Sequence, residues 1–541
     1  MYLKLIIIIF ISLLLEKSCF SQPQTEWVKR FNSPGNYNDY VTDMAIDNSG
    51  SVYLTGYINV NDTNQNYVTI KYNSNGIEQW VRYYDGPDHR EDKPGAIAVD
   101  DSGNVVVTGY SYSYSEFDDF LTIKYNSNGD FLWVKKFIGI GHVSDRPNAM
   151  TIDKMRNVYI TGSGVGINSI DILTIMYNSR GSLIWNKYYD GAANSFDVPF
   201  SINIDDDSNI YIVGQTTINR FLSRVGVVIK YSESGNLEWV RNSLSSIAIF
   251  SVLNNTEFVY MVGHSEQNNN TDINTLKFDS SGSLLWERKY NRSDSVPDQD
   301  DFFRSFTLDK DNNPIFTCIN SDNLLRWDIA TVKYNSNGNF VWAKIFGESS
   351  SNDESKSITS DKFGDIYVCG AKDNGLFAKY LMLKYNSIGS LLWAITYDNN
   401  FPFGSHSANK ILTDTLGNIY VTGISHGNNT GTDIATIKYS QLTKIVHVSE
   451  IIPNVYKLFQ NYPNPFNPIT TINYELPIVS NVAIKVYNIL GKEINLLINE
   501  KQNAGKYEFE FDGSDLSSGI YFYSLEINGV IIDTKKLILS K

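Results

Sequence analysis

The chain has 541 residues and a formal charge of −14, with 42% hydrophobic, 19% charged and 13% aromatic side chains and 37 glycines. An ordinary apolar content excludes a disordered chain, and an acidic balance without a Lys/Arg cluster excludes a nucleic-acid partner, which needs a basic face. Abundant glycine and aromatic residues suit many short strands joined by tight turns.

Residues 1–21 read as a signal peptide: Lys4, an apolar run at 5–15, then Cys19-Phe20-Ser21 with cleavage after Ser21. That run is too short to span a bilayer, and the mature chain holds no transmembrane helix. Glu16 and Lys17 stand where a lipoprotein signal carries apolar or small residues, so Cys19 is not read as a lipid anchor.

Tryptophans recur at 27, 80, 133, 185, 239, 286, 342 and 393, and all but the first follow a lead-in such as KYNSNGIEQW (71–80) or KYNSIGSLLW (384–393). A steady period of about 50 residues marks a repeat architecture. The second unit shows its grammar: AIAVD (96–100), a turn, VVVTG (105–109), a polar loop, LTIKY (121–125), a turn and LWVKKF (132–137). These are four short strands, and small side chains such as Ala96 and Ala98 place the first of them innermost in a ring of radially packed sheets. The second-strand element recurs eight times, from YLTG (53–56) to YVTG (420–423). The last unit lacks a Trp strand, while the chain begins with a lone one, EWVKRF (26–31). The expected fold is therefore all-β: an eight-bladed β-propeller over 22–440, with four-stranded blades and the N-terminal strand closing the last blade and hiding its open edge. Cys318 and Cys369 replace residues of the Val-Thr-Gly element and read as buried structural thiols, with a disulfide left open. The repeats resemble the SBBP family of beta-propeller repeats through the YVTG element, the IKY-type strand and the Trp strand.

A linker is expected at 441–454. From 455 to 541 the chain changes character, with LFQNYPNPFNPITTINYELP (458–477) and alternating strands at 482–488, 507–511, 520–527 and 530–539. They predict a small β-sandwich of immunoglobulin or fibronectin type. YPNPFNP, KVYNILGKEI (485–494), LSSGIYFY (516–523) and TKKLILSK (534–541) resemble the type A C-terminal sorting domain of the type IX secretion system. The resemblance implies a partner, the type IX secretion machinery. It also implies passage of the cargo across the outer membrane of a Gram-negative bacterium, to be released or attached to the surface. It places the sorting signal on Tyr462, Pro463, Asn464, Pro465, Gly519, Tyr521, Lys535 and Lys536.

Strand alternation puts the loops after the second and fourth strands on one face. His89, His142 and His406 fall in inter-blade loops and His264 and His426 just after second strands, near Asp92, Asp145, Asp300 and Asp301; His447 is in the linker. No His-x-x-x-His or paired-Cys spacing supports a metal, and no metal or cofactor is expected. An Asp recurs before the third strand, at 119, 171, 272, 328 and 433, and recurrence argues for a structural job. Turns such as Asp205-Asp206-Asp207-Ser208-Asn209 lack the spaced ligands of a calcium loop. Tyr110, Tyr112, Tyr114 and Phe117, with Phe401 and Phe403, can stack on sugar rings. With no Gly-x-Ser-x-Gly element and no carboxylate pair to single out, the reading is a non-catalytic module for binding, adhesion or scaffolding, secreted or on the cell surface, with a glycan or a surface protein as partner. The alternative is a secreted enzyme acting on polysaccharide, or a quinone-dependent oxidoreductase. Repeat symmetry would discriminate the two: an enzyme should hold a few unique polar side chains converging at the channel mouth, whereas a binding module can repeat its contacts.

Overall fold

A computed structural model describes residues 22–541 except 62, 141–143, 167–168, 220–223, 244–246, 255–257, 268–269, 292–300, 322–326, 348–350, 374, 376, 400–403, 441–445, 450–452 and 514–515. The signal peptide, His142, Asp300, Phe401 and Phe403 lie outside the described residues. The chain divides into a unit at Thr25–Ser440 and a C-terminal unit from Gln441.

The larger unit is a β-propeller. Antiparallel four-stranded sheets cover 39–84, 92–137, 146–189, 198–242, 247–290, 301–346 and 352–397 in sequence order. An eighth combines His406–Thr413, Ile419–Gly427 and Gly431–Ser440 with the N-terminal strand Gln24–Phe31. First strands of consecutive sheets pack together, and that of the eighth packs on that of the first, Asp39–Ile46, so the series closes on itself. Second and third strands such as Val105–Ser113 and Phe117–Tyr125 are buried on both faces, which is why they read as continuous apolar runs; the fourth, Phe131–Phe137, is half exposed.

Two contacts explain the repeated letters. Each of Trp27, Trp80, Trp133, Trp185, Trp239, Trp286 and Trp342 donates its indole N–H to a turn carbonyl of the next sheet, at 3.0–3.2 Å. The glycine of that turn lies on the indole: a Cβ at Gly76, Gly129 or Gly338 would sit 2.7 Å from the ring, and their φ angles are positive. The glycine ending the second strand has another cause. Every first strand is bulged near its third residue, as between Pro94 and Ala96, which drives a carbonyl at the facing strand. A Cβ on Gly109 would lie 2.1 Å from Lys93 O, and on Gly423 2.1 Å from Ser407 O. In the sixth sheet Cys318 takes this place, opposite Phe303. Cys318 and Cys369 are buried in neighbouring sheets and form no disulfide.

The closing strand is held by the same devices. Trp27 donates to Ser74 O of the first sheet at 3.1 Å, Arg30 to Asp433 at 2.6 Å, and Ser440 Oγ to Glu26 at 2.5 Å.

The C-terminal unit holds two four-stranded sheets. One orders Val446–Ser449, Gly505–Asp512, Ile469–Leu476 and Lys457–Leu458; the other orders Glu493–Gln502, Ser480–Tyr487, Gly519–Ile527 and Val530–Leu539. Ile472, Tyr474, Leu476 and Phe509 of the first share a core with Val482, Ile484, Tyr523 and Leu537 of the second. Val446–Ser449 falls in the stretch expected as a linker, because its backbone finds a partner in Lys506–Glu508 that a four-residue strand does not announce. Among the described residues no helix is long and apolar enough to cross a membrane.

At the loop end of the first strands stand Asp39, Asp92, Asp145, Asp197, Asp301 and Asp353, with His406 in the eighth sheet, all at most 1% exposed. They close the loops that enter the strands: Gly86 N–H donates to Asp92 at 2.6 Å, Gly139 to Asp145 at 2.9 Å and Gly191 to Asp197 at 2.6 Å. Burial pushes Asp39, Asp92 and Asp145 up to about 6. Folding thus favours their protonated forms, so their contribution is complete below the ordinary carboxylate range and is lost as pH rises through about 6. Asp47, Asp100 and Asp309 are instead held low, against the effect of burial, by hydrogen bonds, so their contribution is complete above the ordinary carboxylate range and is lost only as pH falls below it.

Two outcomes follow. The melting temperature should fall from pH 4.5 to 7, and Asp92→Asn, which keeps an acceptor for Gly86, should flatten that slope; a rise over this range contradicts the assignment. In denaturant titrations Gly103→Ala, whose Cβ meets nothing closer than 3.5 Å, should cost about 1 kcal/mol for its positive φ, and Gly129→Ala, set against Trp80, at least about 1 kcal/mol more. Equal costs would show that the indole does not seat on the turn.

Candidate functional site

The second sheet departs from the repeat at its loop end. Tyr110 and Tyr112 alternate along Val105–Ser113 and are half-buried, and the turn to the third strand exposes Tyr114 (61%) and Phe117 (45%). Phe117 holds a φ of 61°, a left-handed conformation costly for a bulky side chain. The rings meet edge to face: Tyr112 lies 6.0 Å from Tyr114 and 6.3 Å from Phe117.

Residues from outside the second and third strands fix this cluster. Asp88 accepts the Tyr114 N–H at 2.8 Å, and Glu91 O accepts that of Tyr112 at 2.9 Å. Arg90 donates to Tyr114 Oη at 2.7 Å, with its guanidinium carbon 5.0 Å from the ring centroid. From the third sheet, Arg146 lies 4.5 Å from the Tyr110 centroid and donates twice to Asp118, at 2.6 and 2.8 Å. Tyr110 Oη donates to Glu91 at 3.2 Å; burial first, then the Glu91 charge, raise the phenol well above its usual value. Asp118, after burial is opposed, raises Arg146. The result is a rim surface of aromatic edges flanked by fixed N–H donors and carboxylates.

The expected site residues do not all meet. Tyr110, Tyr112, Tyr114 and Phe117 form one cluster. His89 shares the loop of Asp88 and Arg90, but its Nδ1 pairs with Asp85 at 2.7 Å and its side chain is 72% exposed. His264 accepts the Phe303 N–H at 2.8 Å, and burial, aided by Arg304, pushes it down to about 4, so it is a neutral structural acceptor. His406 is buried against Ser425 Oγ at 2.8 Å, and His426 sits in the same eighth sheet. Recurring aspartates pair with cations: Asp119 with Lys136 at 2.9 Å, Asp272 with Lys289, and Asp433 with Arg30. Asp205 accepts the N–H groups of Asp207 and Asn209 in its own turn, at 3.0 and 2.8 Å. Among the described residues, the carboxylates of Asp171, Asp190 and Asp197 gather within 4.8 Å, a group that includes none of the histidines. Arg90, Lys93, Glu91 and Arg146 were not singled out by the sequence; the signal that could find them is that their repeat positions carry other residue types elsewhere.

The sorting-motif residues assemble at one end of the C-terminal unit. Asn464 donates to Lys536 O and accepts from Ile538 N–H, both at 2.9 Å, so the proline-rich segment is tied to the last strand. Thr470 Oγ1 donates to Pro463 O at 2.7 Å, and Pro465 leads into the buried Phe466, whose N–H bonds Ile538 O at 2.9 Å. Gly519 and Tyr521 pair with Leu539 and Leu537 on that strand. Tyr462 is 81% exposed, and Lys535 pairs with Asp533 at 2.9 Å.

Solved structures similar to this chain include the WD40 domain of SCAP from fission yeast, at 10% identity and a TM-score of 0.41, covering 76% of this chain and 98% of that one. Drosophila Semaphorin 2a is similar at 9% and 0.37, covering 96% and 99%. Polysaccharide lyase Uly1 is similar at 9% and 0.40, covering 76% and 91%. A search of curated proteins found no match. Residues 26–62, 341–371 and 400–429 match the beta-propeller repeat, and residues 460–540 match the secretion system C-terminal sorting domain. Three stretches of the larger unit are thus beta-propeller repeats, and residues 460–540 of the C-terminal unit are a secretion system C-terminal sorting domain.

Proposed function

We propose that the chain is an exported, non-catalytic glycan-binding propeller of eight blades, with the N-terminal strand as the fourth strand of the last. In this reading residues 1–21 direct passage through the inner membrane. The C-terminal unit, an immunoglobulin-like sandwich, then engages the type IX secretion machinery of a Gram-negative bacterium, and the propeller works outside the cell or on its surface.

The observation that carries the binding role is the cluster of Tyr112, Tyr114 and Phe117 on the rim. It exposes ring surface and spends backbone strain at Phe117 on a presentation that the propeller does not need. Edge-to-face rings flanked by fixed hydrogen-bond groups suit the two sides of a sugar, its C–H face and its hydroxyls. Asp88, Glu91 and Asp118 hold the cluster through bonds to backbone and to arginines, an arrangement for rigidity rather than proton transfer.

The test is a glycan array probed with the mature chain, residues 22–541. Saturable binding that falls about tenfold in Tyr112→Ala and Tyr114→Ala, with the melting temperature kept, is the expected result. Binding indifferent to both substitutions, or no glycan bound, would overturn it.

A further inference from the structure

The aromatic cluster is one end of a longer feature. On the first sheet Tyr40 and Tyr57 face each other across the first two strands and stack, with centroids 4.9 Å apart and planes at 23°. Lys93 of the second sheet places Nζ 5.2 Å from the Tyr57 centroid. Lys93 itself faces Tyr110 across strands, and Arg146 of the third sheet covers the Tyr110 ring. Rings and cations thus alternate across three sheets, from Tyr40 through Tyr57, Lys93 and Tyr110 to Arg146, with Arg90 on Tyr114 beside them. Glu91 ties the middle together, 3.5 Å from Lys93 Nζ and 3.2 Å from Tyr110 Oη.

This ladder is not part of the repeat. The facing pair Lys93 and Tyr110 corresponds to Val198 and Gln215, Ile247 and His264, Phe302 and Ile319, Glu354 and Ala371, and Ser407 and Ile424 in the later sheets. None of these pairs holds a lysine or arginine, so the fold closes without a cation there. Arg90, Lys93 and Arg146 stand on one sector beside Asp88, Glu91 and Asp118. Each cation is braced by an aromatic ring, which fixes its direction. Arg146 gives Nε and one Nη to Asp118 yet remains 54% exposed, leaving donors for a second oxyanion.

We propose that the rim sector of the first three sheets binds an acidic glycan, a chain bearing uronate or sulfate groups. Arg90, Lys93 and Arg146 contact its anionic groups, and Tyr112, Tyr114 and Phe117 its sugar rings. This rests on the glycan-binding reading above and names the chemical class of the ligand.

Binding of the mature chain to oligogalacturonate and dextran sulfate is compared with binding to neutral dextran and mannan, at low and at physiological salt. The acidic chains should bind more tightly, and salt should weaken them. Lys93→Ala, at unchanged melting temperature, should lower acidic-glycan affinity about tenfold and leave neutral chains unaffected; Arg90→Gln and Arg146→Gln, which also break bonds to Tyr114 and Asp118, should lower acidic-glycan affinity more than neutral-glycan affinity. Neutral glycans bound as tightly as acidic ones through Tyr112 and Tyr114, or acidic binding unmoved by Lys93→Ala and Arg90→Gln, would overturn this inference alone. No binding to either class would overturn the glycan reading as well.

Discussion

The seat of an indole on the glycine turn of the next sheet is the contact on which the rest of the molecule depends. Neighbouring sheets meet mainly through side chains, with isolated backbone bonds at the loop end such as Asp197 N–H to Ile170 O at 2.8 Å, so a directional side-chain contact helps set how they meet. The Trp N–H supplies direction, the flat ring supplies area, and the glycine lets backbone reach the ring face, where a Cβ would intrude to 2.7–2.9 Å. Lysines reinforce the same acceptors: Ser127 O receives both Trp80 and Lys71, and Ser336 O both Trp286 and Lys277. In the eighth sheet the turn between the third and fourth strands is cut by the chain ends, and the fourth strand is the N-terminal one. Its Trp27 seats on the intact turn of Ser74 and Gly76 in the first sheet, as the other tryptophans seat on theirs.

What recurs in the contacts recurs in the letters, which is why much of the fold could be read from the sequence. The Trp strands, the turn glycines and the YVTG element are visible because one physical demand is met again and again. Their cause was less legible. The glycine of YVTG reads as the end of the second strand, but only the structure shows why it is glycine: a bulge carbonyl, of Lys93 or Ser407, presses on it. Val446–Ser449 was hidden because four residues leave no alternation to read. At the candidate site, Tyr110, Tyr112, Tyr114 and Phe117 stood out as neighbours in sequence. Arg146 and Tyr57 did not, since each belongs to another sheet and only the closing of the sheets brings it near.

The same division separates structure from function. Aspartates that recur find structural partners: a loop N–H, a turn backbone, or a lysine or arginine. The rim of the first three sheets carries stacked tyrosines, ring-braced cations and a strained phenylalanine, where the later sheets carry no lysine or arginine in the facing pair. Export is assigned to the other unit, where Asn464 and Phe466 bind the last strand and so fix the proline-rich segment beside the C-terminus.

Closure by the N-terminal strand is the claim most open to direct test. All nine tryptophans precede residue 394, so tryptophan fluorescence follows the propeller alone. The measurement is thermal unfolding of residues 22–541 against a chain beginning at Asn32. Loss of Trp27, Arg30 and the last sheet's fourth strand should lower the propeller's melting temperature by about 10 °C. An unchanged melting temperature would contradict the closure described here.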